Sequence, residues 1–193
     1  MDIEYNGHSF NVRFDLQKTT NKLILVISAA FLINVAIPTL ATPYQLGLNY
    51  NLISQGGLLD LYRLFTPILV HGSFLHVAMN MFSLYNVGNL VEQLMERGEY
   101  IILILATTLG GSLAVYLFSD RNALTIGASG MIFGLLGSLL TLESASRINK
   151  KQLYFIVGLN MLFTFSIPGV SWQGHVGGLL TGVLMGKFLS SNA

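Results

Sequence analysis

The sequence predicts an all-α polytopic membrane protein with six transmembrane helices. Of its 193 residues, 52% are hydrophobic and only 10% are charged, whereas soluble domains carry roughly 25% charged residues. The mean hydropathy is +0.62. Six apolar runs approach the length of about 20 residues that a helix needs to cross a hydrocarbon core. These runs cover residues 23–40, 75–90, 101–118, 128–141, 153–167 and 172–189.

A polar segment of mixed charge, residues 1–21, precedes the predicted six-span core at 22–190. It lacks the short basic stretch and following apolar run of a cleaved signal, so we expect the first span to stay in the mature protein. Asn6 and Gly7 lie between alternating apolar and polar residues, and both residue types tolerate the positive φ of a tight turn. The segment therefore predicts a small cytoplasmic β-hairpin, which needs a surface to pack on because an isolated hairpin is marginal.

The basic residues predict the orientation of the spans. An even number of spans places both termini on one side, and cytoplasmic loops carry an excess of lysine and arginine. With both termini in the cytoplasm, only Arg63 and Arg121 lie outside. The basic residues inside are then Arg13, Lys18, Lys22, Arg97, Arg147, Lys150, Lys151 and Lys187.

Two segments depart from a simple spanning pattern. The fourth run has about fourteen residues and so covers about 21 Å, which places the start of its helix below the outer membrane surface. The loop before it must dip inward, and this requires protein or water around its backbone. The connection 41–74 is too apolar for a solvated linker, and we expect it to lie in the outer interface.

A serine and a histidine begin two of the apolar runs. Ser129 follows a loop within the sequence Gly-Ala-Ser-Gly at 127–130, and His175 lies in Gly-His-Val-Gly-Gly at 174–178. Ionisable groups in membrane helices are functional candidates by default. Glycines recur at every fourth position in both runs, which lets two helix backbones approach closely. If those faces meet, Ser129 and His175 lie at the same depth and within hydrogen-bonding range. Taken alone, Ser129 is also compatible with the role of a small residue that lets two helices pack closely.

His76 and Asn80 are four residues apart in the second run and so share one face of a helix. Together they form a donor cluster suited to an anion, although such residues also bond neighbouring helices in membrane bundles. Ser129 becomes a nucleophile when His175 takes its proton. Attack on an amide develops an oxyanion, for which the backbone N–H of Ser129, His76 and Asn80 supply donors. Since no acidic residue lies near either motif, the sequence favours a dyad over a triad.

On these residues the chain resembles the rhomboid intramembrane serine proteases over about 22–189. Ser129 and His175 match the nucleophile and histidine motifs of that family, and the pattern of His71, His76 and Asn80 matches its second span. The resemblance implies a six-helix rhomboid bundle and oxyanion roles for His76 and Asn80. It implies structural support from Arg63, His71, Glu92, Gly127, Gly130, Phe133 and Gly178.

Three positions depart from the family pattern. Tyr62 replaces the tryptophan that precedes the loop arginine, and an aromatic residue should keep the interfacial anchoring. Phe133 stands where the family often has a tyrosine against the catalytic histidine. Gly174 replaces an alanine. Each change keeps the size or ring of the side chain, so we expect activity to be retained.

The resemblance also implies a partner and a reaction. The expected activity is endopeptidase cleavage of single-span membrane proteins within the lipid bilayer, with the substrate helix entering between the second and fifth spans. No cofactor, metal or nucleic acid is expected. The rival interpretations are a catalytically silent relative that binds membrane proteins, a transporter or channel with polar intramembrane residues, and a zinc protease. The sequence His-Glu-x-x-His, which would favour zinc, does not occur.

Overall fold

The computed structural model describes residues 2–5, 8–11, 15–40, 42–145 and 148–190, the first two ranges as backbone only. Two strands, β1 (Asp2–Tyr5) and β2 (His8–Asn11), pair antiparallel in the register Tyr5↔His8. They flank the position of the predicted Asn6-Gly7 turn, which lies outside the described residues, as do Arg13 and Arg147 of the basic pattern.

Most of the remaining described chain is helical. The α-helices are α1 (Thr19–Ala36), α2 (Pro43–Leu46), α3 (Tyr50–Gly56), α4 (Phe74–Ser83), α5 (Asn89–Glu92), α6 (Arg97–Phe118), α7 (Ser129–Thr141), α8 (Lys150–Ser166) and α9 (Trp172–Ser190). A π-helical turn (Leu84–Gly88) joins α4 to α5. Short 3₁₀ helices cover Gly57–Leu64, Thr66–Leu69 and Glu143–Ala145.

Each predicted span coincides with a helical segment, with ends that differ by a few residues. Among the described residues, α1 and α6 are long and apolar enough to cross a membrane, whereas α7 is apolar but shorter. The connection 41–74 is not an irregular loop, since α2, α3 and two 3₁₀ helices occupy most of it. Its capping residues explain this: Thr42 and Asn49 accept hydrogen bonds from the first turns of α2 and α3.

Helix α7 lies at the centre of the molecule. All residues from Met131 to Leu139 are buried, and they join side chains of α1, α4 and α6 in one apolar core. Large apolar side chains elsewhere face outward, among them Leu32 on α1, Phe155 on α8 and Leu184 on α9. A buried centre with an apolar exterior is the pattern of a helical bundle that lipid surrounds.

Helices α7 and α9 pack backbone against backbone through their glycines. A Cβ atom at Gly178 would overlap the carbonyl oxygen of Gly130, and one at Gly182 would overlap that of Gly134. A Cβ at Gly130 would lie 3.1 Å from the carbonyl oxygen of Gly174. The glycine spacing therefore serves a close helix contact, as the sequence predicted.

Candidate functional site

Ser129 and His175 form a hydrogen bond at the end of the α7–α9 contact. The distance from Ser129 Oγ to His175 Nε2 is 2.7 Å. Ser129 is the first residue of α7, and His175 lies in the first turn of α9. Gly127, at φ 109°, makes the turn into α7, a conformation that residues with a Cβ rarely adopt. The close glycine contact and this turn together place the two side chains in range.

The ring of Phe133 stacks on the imidazole of His175. The two ring centroids are 4.2 Å apart and the planes differ by 14°. Phe133 lies one helical turn after Ser129 and is buried. Its ring therefore fixes the plane of the histidine ring from the same helix that carries the serine.

The second ring nitrogen of His175 contacts a residue that the sequence reasoning missed. Nδ1 lies 2.8 Å from Thr164 Oγ1, on α8. Thr164 is buried and its hydroxyl also bonds the carbonyl of Asn160, 2.8 Å away. The available signal was a hydroxyl in an otherwise apolar run, but nothing in the spacing linked it to His175.

His76 and Asn80 line the same cavity as Ser129 and His175. The imidazole of His76 lies against the nucleophile loop, because a Cβ at Gly127 would be 2.7 Å from its Nε2 atom. Asn80 is buried, and its Nδ2 donates to the carbonyl of His76 at 2.9 Å. That bond uses one of two N–H groups, so the amide has a second hydrogen to donate.

His71 packs behind His76 and is not part of the cavity wall. The two rings meet edge to face with centroids 4.9 Å apart. Neither ring nitrogen of His71 has a hydrogen-bond partner among the described residues. Burial, and secondarily the neighbouring His76, lowers the pKa of His71 to about 4. It is therefore a neutral packing partner at neutral pH.

The cavity has a volume of about 960 Å³. Its wall includes α4, α6, the starts of α7 and α9, and the segments 119–127 and 167–173. The first backbone N–H groups of α7 have no intrahelical partner, as in any helix, and no side chain among the described residues caps them. These donors lie beside Ser129 and suit a developing negative charge.

The loop before Ser129 is held by the segment 42–70. Leu48 and Thr125 exchange backbone hydrogen bonds of 2.9 and 2.8 Å. Gly127 N–H donates to the carbonyl of Pro67 at 2.9 Å, and the Asn49 side chain donates to the carbonyl of Ala123 at 2.9 Å. Protein therefore supplies hydrogen-bond partners to this non-helical backbone.

Arg63 holds the segment 42–70 together from within. Its guanidinium donates to the carbonyls of Tyr44, Gln45 and Gly47, and to the carboxylate of Asp60 at 2.8 Å. A planar group with five donors suits this cluster of acceptors.

Glu92 lies at the opposite end of the bundle and caps α1. Its carboxylate accepts from the backbone N–H groups of Thr19 and Thr20, at 2.6 and 3.0 Å, and from the Thr20 hydroxyl at 2.7 Å. Thr20 in turn contacts the Tyr100 hydroxyl at 2.7 Å. Burial opposes ionisation of Glu92, but the hydrogen bonds from Thr20 and Thr19 outweigh it and lower the pKa. Glu92 thus ties α1, α5 and α6 together, remote from Ser129.

Within the described residues, no group of three or more histidine, cysteine, aspartate or glutamate side chains is arranged to hold a metal ion. The fold and the site together define a helical membrane protein that carries a hydrogen-bonded serine and histidine in an open cavity. Comparison with known proteins identifies the family to which this membrane protein belongs.

A model of the Rhomboid domain matches residues 59–192. The chain is 35% identical over 140 residues to rhomboid protease GluP of Bacillus subtilis (strain 168), a match covering 68% of this chain and 26% of that protein. It is 34% identical over 172 residues to RHOMBOID-like protein 5 of Arabidopsis thaliana, covering 84% and 53%. RHOMBOID-like protein 6, mitochondrial, of the same plant is 32% identical over 160 residues, covering 79% and 51%.

The chain therefore belongs to the rhomboid family and is an integral membrane protein. Its matched region spans between a quarter and about half of the length of these relatives. Relatives with protease in their names include GluP and the Rhomboid-like protease 1 of Toxoplasma gondii.

Proposed function

We propose that this protein is an intramembrane serine endopeptidase that cleaves transmembrane segments with a dyad of Ser129 and His175. The observation that carries the proposal is the 2.7 Å contact between Ser129 Oγ and His175 Nε2 at the wall of an open cavity. A serine hydroxyl is a weak nucleophile until a positioned base takes its proton, and this contact supplies the base.

In the proposed reaction Ser129 Oγ attacks a backbone carbonyl carbon while its proton passes to His175 Nε2. The tetrahedral intermediate then collapses, the C–N bond breaks and the same proton goes to the leaving amine. Water attacks the resulting ester, with His175 again as base, and releases the carboxylate product and free Ser129.

The oxyanion of each intermediate would be bound by the backbone N–H of Ser129 and by the His76 and Asn80 side chains. Supporting this, both side chains line the cavity with Ser129, and no side chain in the described part of the chain caps the start of α7. Hydrogen-bond donors that are already in place stabilise a developing charge most strongly in a site that contains little water.

In our proposal, residues 22–190 form a six-span core and residues 1–21 a cytoplasmic segment, with both termini in the cytoplasm. The basic residues favour this orientation, and it puts Ser129 toward the non-cytoplasmic side. The segment 42–70 then lies in the outer interface. In support, Leu58 and Leu59 expose 86% and 87% of their surface, which suits insertion among lipid headgroups and acyl chains.

The proposed substrates are single-span membrane proteins that enter between α4 and α8. Met79 on α4 and Trp172 at the start of α9 line the cavity and are exposed outward, which supports entry from lipid on that side. A substrate helix must unwind before its carbonyls can react, and helix-breaking residues lower this cost.

The test is cleavage of a single-span reporter in liposomes, together with fluorophosphonate labelling in detergent. We expect the wild type to cleave and to label, and Ser129→Ala and His175→Ala to do neither while keeping their helical content. Ser112→Ala is the matched control, because Ser112 lines the same cavity on α6. It should retain both activities.

Two outcomes would contradict the proposal. Cleavage that persists in Ser129→Ala would remove the serine mechanism. A folded wild type that neither cleaves nor labels would instead indicate the silent, binding type of rhomboid relative.

A further inference from the structure

Thr164 occupies an unusual position for a polar side chain on α8. Most large side chains of this helix face outward, including Phe155, Leu162 and Phe165. Thr164 is only 4% exposed and lies on the narrow buried face, with Leu153 and Val157. A hydroxyl on such a face needs partners, and one of its partners is the imidazole of His175.

The hydrogen bonds of Thr164 indicate which nitrogen of His175 carries the proton. A threonine hydroxyl has one hydrogen to donate and two lone pairs that accept. The carbonyl oxygen of Asn160, 2.8 Å away and four residues earlier in the helix, can only accept, so we assign the hydroxyl hydrogen to that bond. The 2.8 Å contact with His175 then requires Nδ1 to be the donor and the hydroxyl oxygen to be the acceptor.

A neutral imidazole that is protonated on Nδ1 has a free lone pair on Nε2. Nε2 is the atom that faces Ser129 Oγ, so it accepts the serine proton directly. In the other tautomer Nε2 would carry a hydrogen toward Ser129 and could not act as a base.

We propose that Thr164 is a positioning residue that holds His175 in the tautomer with a basic Nε2. This inference rests on the proposed serine mechanism. Thr164 does not touch the reacting atoms; it acts through His175, in the place where a carboxylate stands in a catalytic triad. Because a neutral hydroxyl is a weaker acceptor than a carboxylate, its contribution is moderate.

The experiment measures steady-state cleavage and fluorophosphonate labelling of Thr164→Val and Thr164→Ser. Valine keeps the shape and removes the acceptor, so we expect kcat to fall about tenfold with KM unchanged. Serine keeps the hydroxyl and should restore most of the rate. Thr107→Val is the control: Thr107 is buried, bonds carbonyls of its own helix at 2.8 and 3.2 Å, and lies outside the cavity wall.

The tautomer itself is read by ¹⁵N NMR of histidine-labelled protein at neutral pH. We expect the wild type to carry the proton of His175 on Nδ1, and Thr164→Val to populate both tautomers. Two results would overturn the inference: a proton on Nε2 of His175 in the wild type, or a Thr164→Val enzyme with unchanged kcat. The first result needs only the wild type, so it can be obtained even where the valine variant does not fold. Failure of the wild type to cleave would overturn the serine mechanism instead, and the NMR readout keeps the two failures distinct.

Discussion

At the scale of single residues, the site consists of groups that hold one another in place. His175 is in contact on three sides: Ser129 at Nε2, Thr164 at Nδ1 and the Phe133 ring against its face. Phe133 supplies this stacking without a hydroxyl, so the departure from the family's tyrosine leaves the ring contact intact. In the proposed mechanism, a histidine whose ring is already fixed in plane and direction loses little further entropy when the transition state forms.

Asn80 permits a test of the proposed oxyanion donors. We expect Asn80→Ala to lower kcat about 100-fold or more, because one donor to a developing oxyanion is worth about 2.7 to 4 kcal/mol. Steady-state cleavage of the reporter measures this. Asn86→Ala is the matched control, since Asn86 makes the same bond to its own helix, to the Phe82 carbonyl at 2.7 Å, on an exposed face. Equal rates in the two variants would exclude Asn80 as a donor.

At the scale of elements, the contact between α7 and α9 sets the distance between serine and histidine. Next to the site the two helices meet glycine backbone against glycine backbone, at Gly130 with Gly178 and at Gly134 with Gly182. A change of one methyl group at this contact must therefore move a whole helix, and the movement passes to Ser129 and His175.

Gly178→Ala tests this contact. The added methyl group would overlap the Gly130 carbonyl oxygen, so we expect a loss of about 1 to 3 kcal/mol in the free energy of unfolding and slower fluorophosphonate labelling. Gly158→Ala on α8 is the control, because a Cβ there meets no atom within 4 Å. Denaturant unfolding in detergent measures the first effect. If both alanine variants unfold alike, the glycine contact does not limit stability.

At the scale of the whole molecule, a different charged side chain holds together each end of the bundle. Near the site, Arg63 donates hydrogen bonds to backbone carbonyls of the segment 42–70. This segment in turn bonds the loop before Ser129. At the other end, Glu92 caps α1 and, through Thr20, contacts Tyr100 of α6. Arg63 therefore supports the site, whereas Glu92 contributes to the stability of the fold.

The hydrogen bonds of the Glu92 carboxylate predict that the stability of the fold depends on pH. The pKa of Glu92 is lower in the folded protein than the ordinary value of 4.5, so its stabilisation is complete above pH 4.5 and is lost as the pH falls through the folded value. We expect Glu92→Gln to be less stable than the wild type at neutral pH, and the difference to shrink on acidification. Thermal unfolding in detergent from neutral pH to below 4.5 measures this.

Glu99→Gln is the control for that experiment, because Glu99 is half-buried, as Glu92 is, but accepts a local bond, from the Glu96 backbone at 3.1 Å, and not bonds from another helix. Burial of His71 also makes acid unfavourable for the fold, but this contribution is common to the wild type and both variants. A constant difference between wild type and Glu92→Gln across the pH range would contradict the prediction.

Most of the helical layout followed from the apolar runs and their lengths, because a chain in lipid must satisfy its backbone within each helix. The meeting of Ser129 and His175 also followed from the sequence, since glycines at every fourth residue mark close helix faces. The helical nature of the segment 42–70 was missed, because its glycines and mixed polarity resemble a loop. There, Arg63 and the caps at Thr42 and Asn49 outweigh local propensity.

The sequence by itself determined the membrane class, the rhomboid family pattern and the pair Ser129 and His175, because composition and local motifs carry those properties. Only the tertiary structure decided that Thr164 faces Nδ1 of His175 and that His71 stands behind the cavity wall. The physical reason is that such contacts depend on how far each helix is rotated about its own axis. That rotation is set by packing among several helices at once, and no single stretch of sequence encodes it.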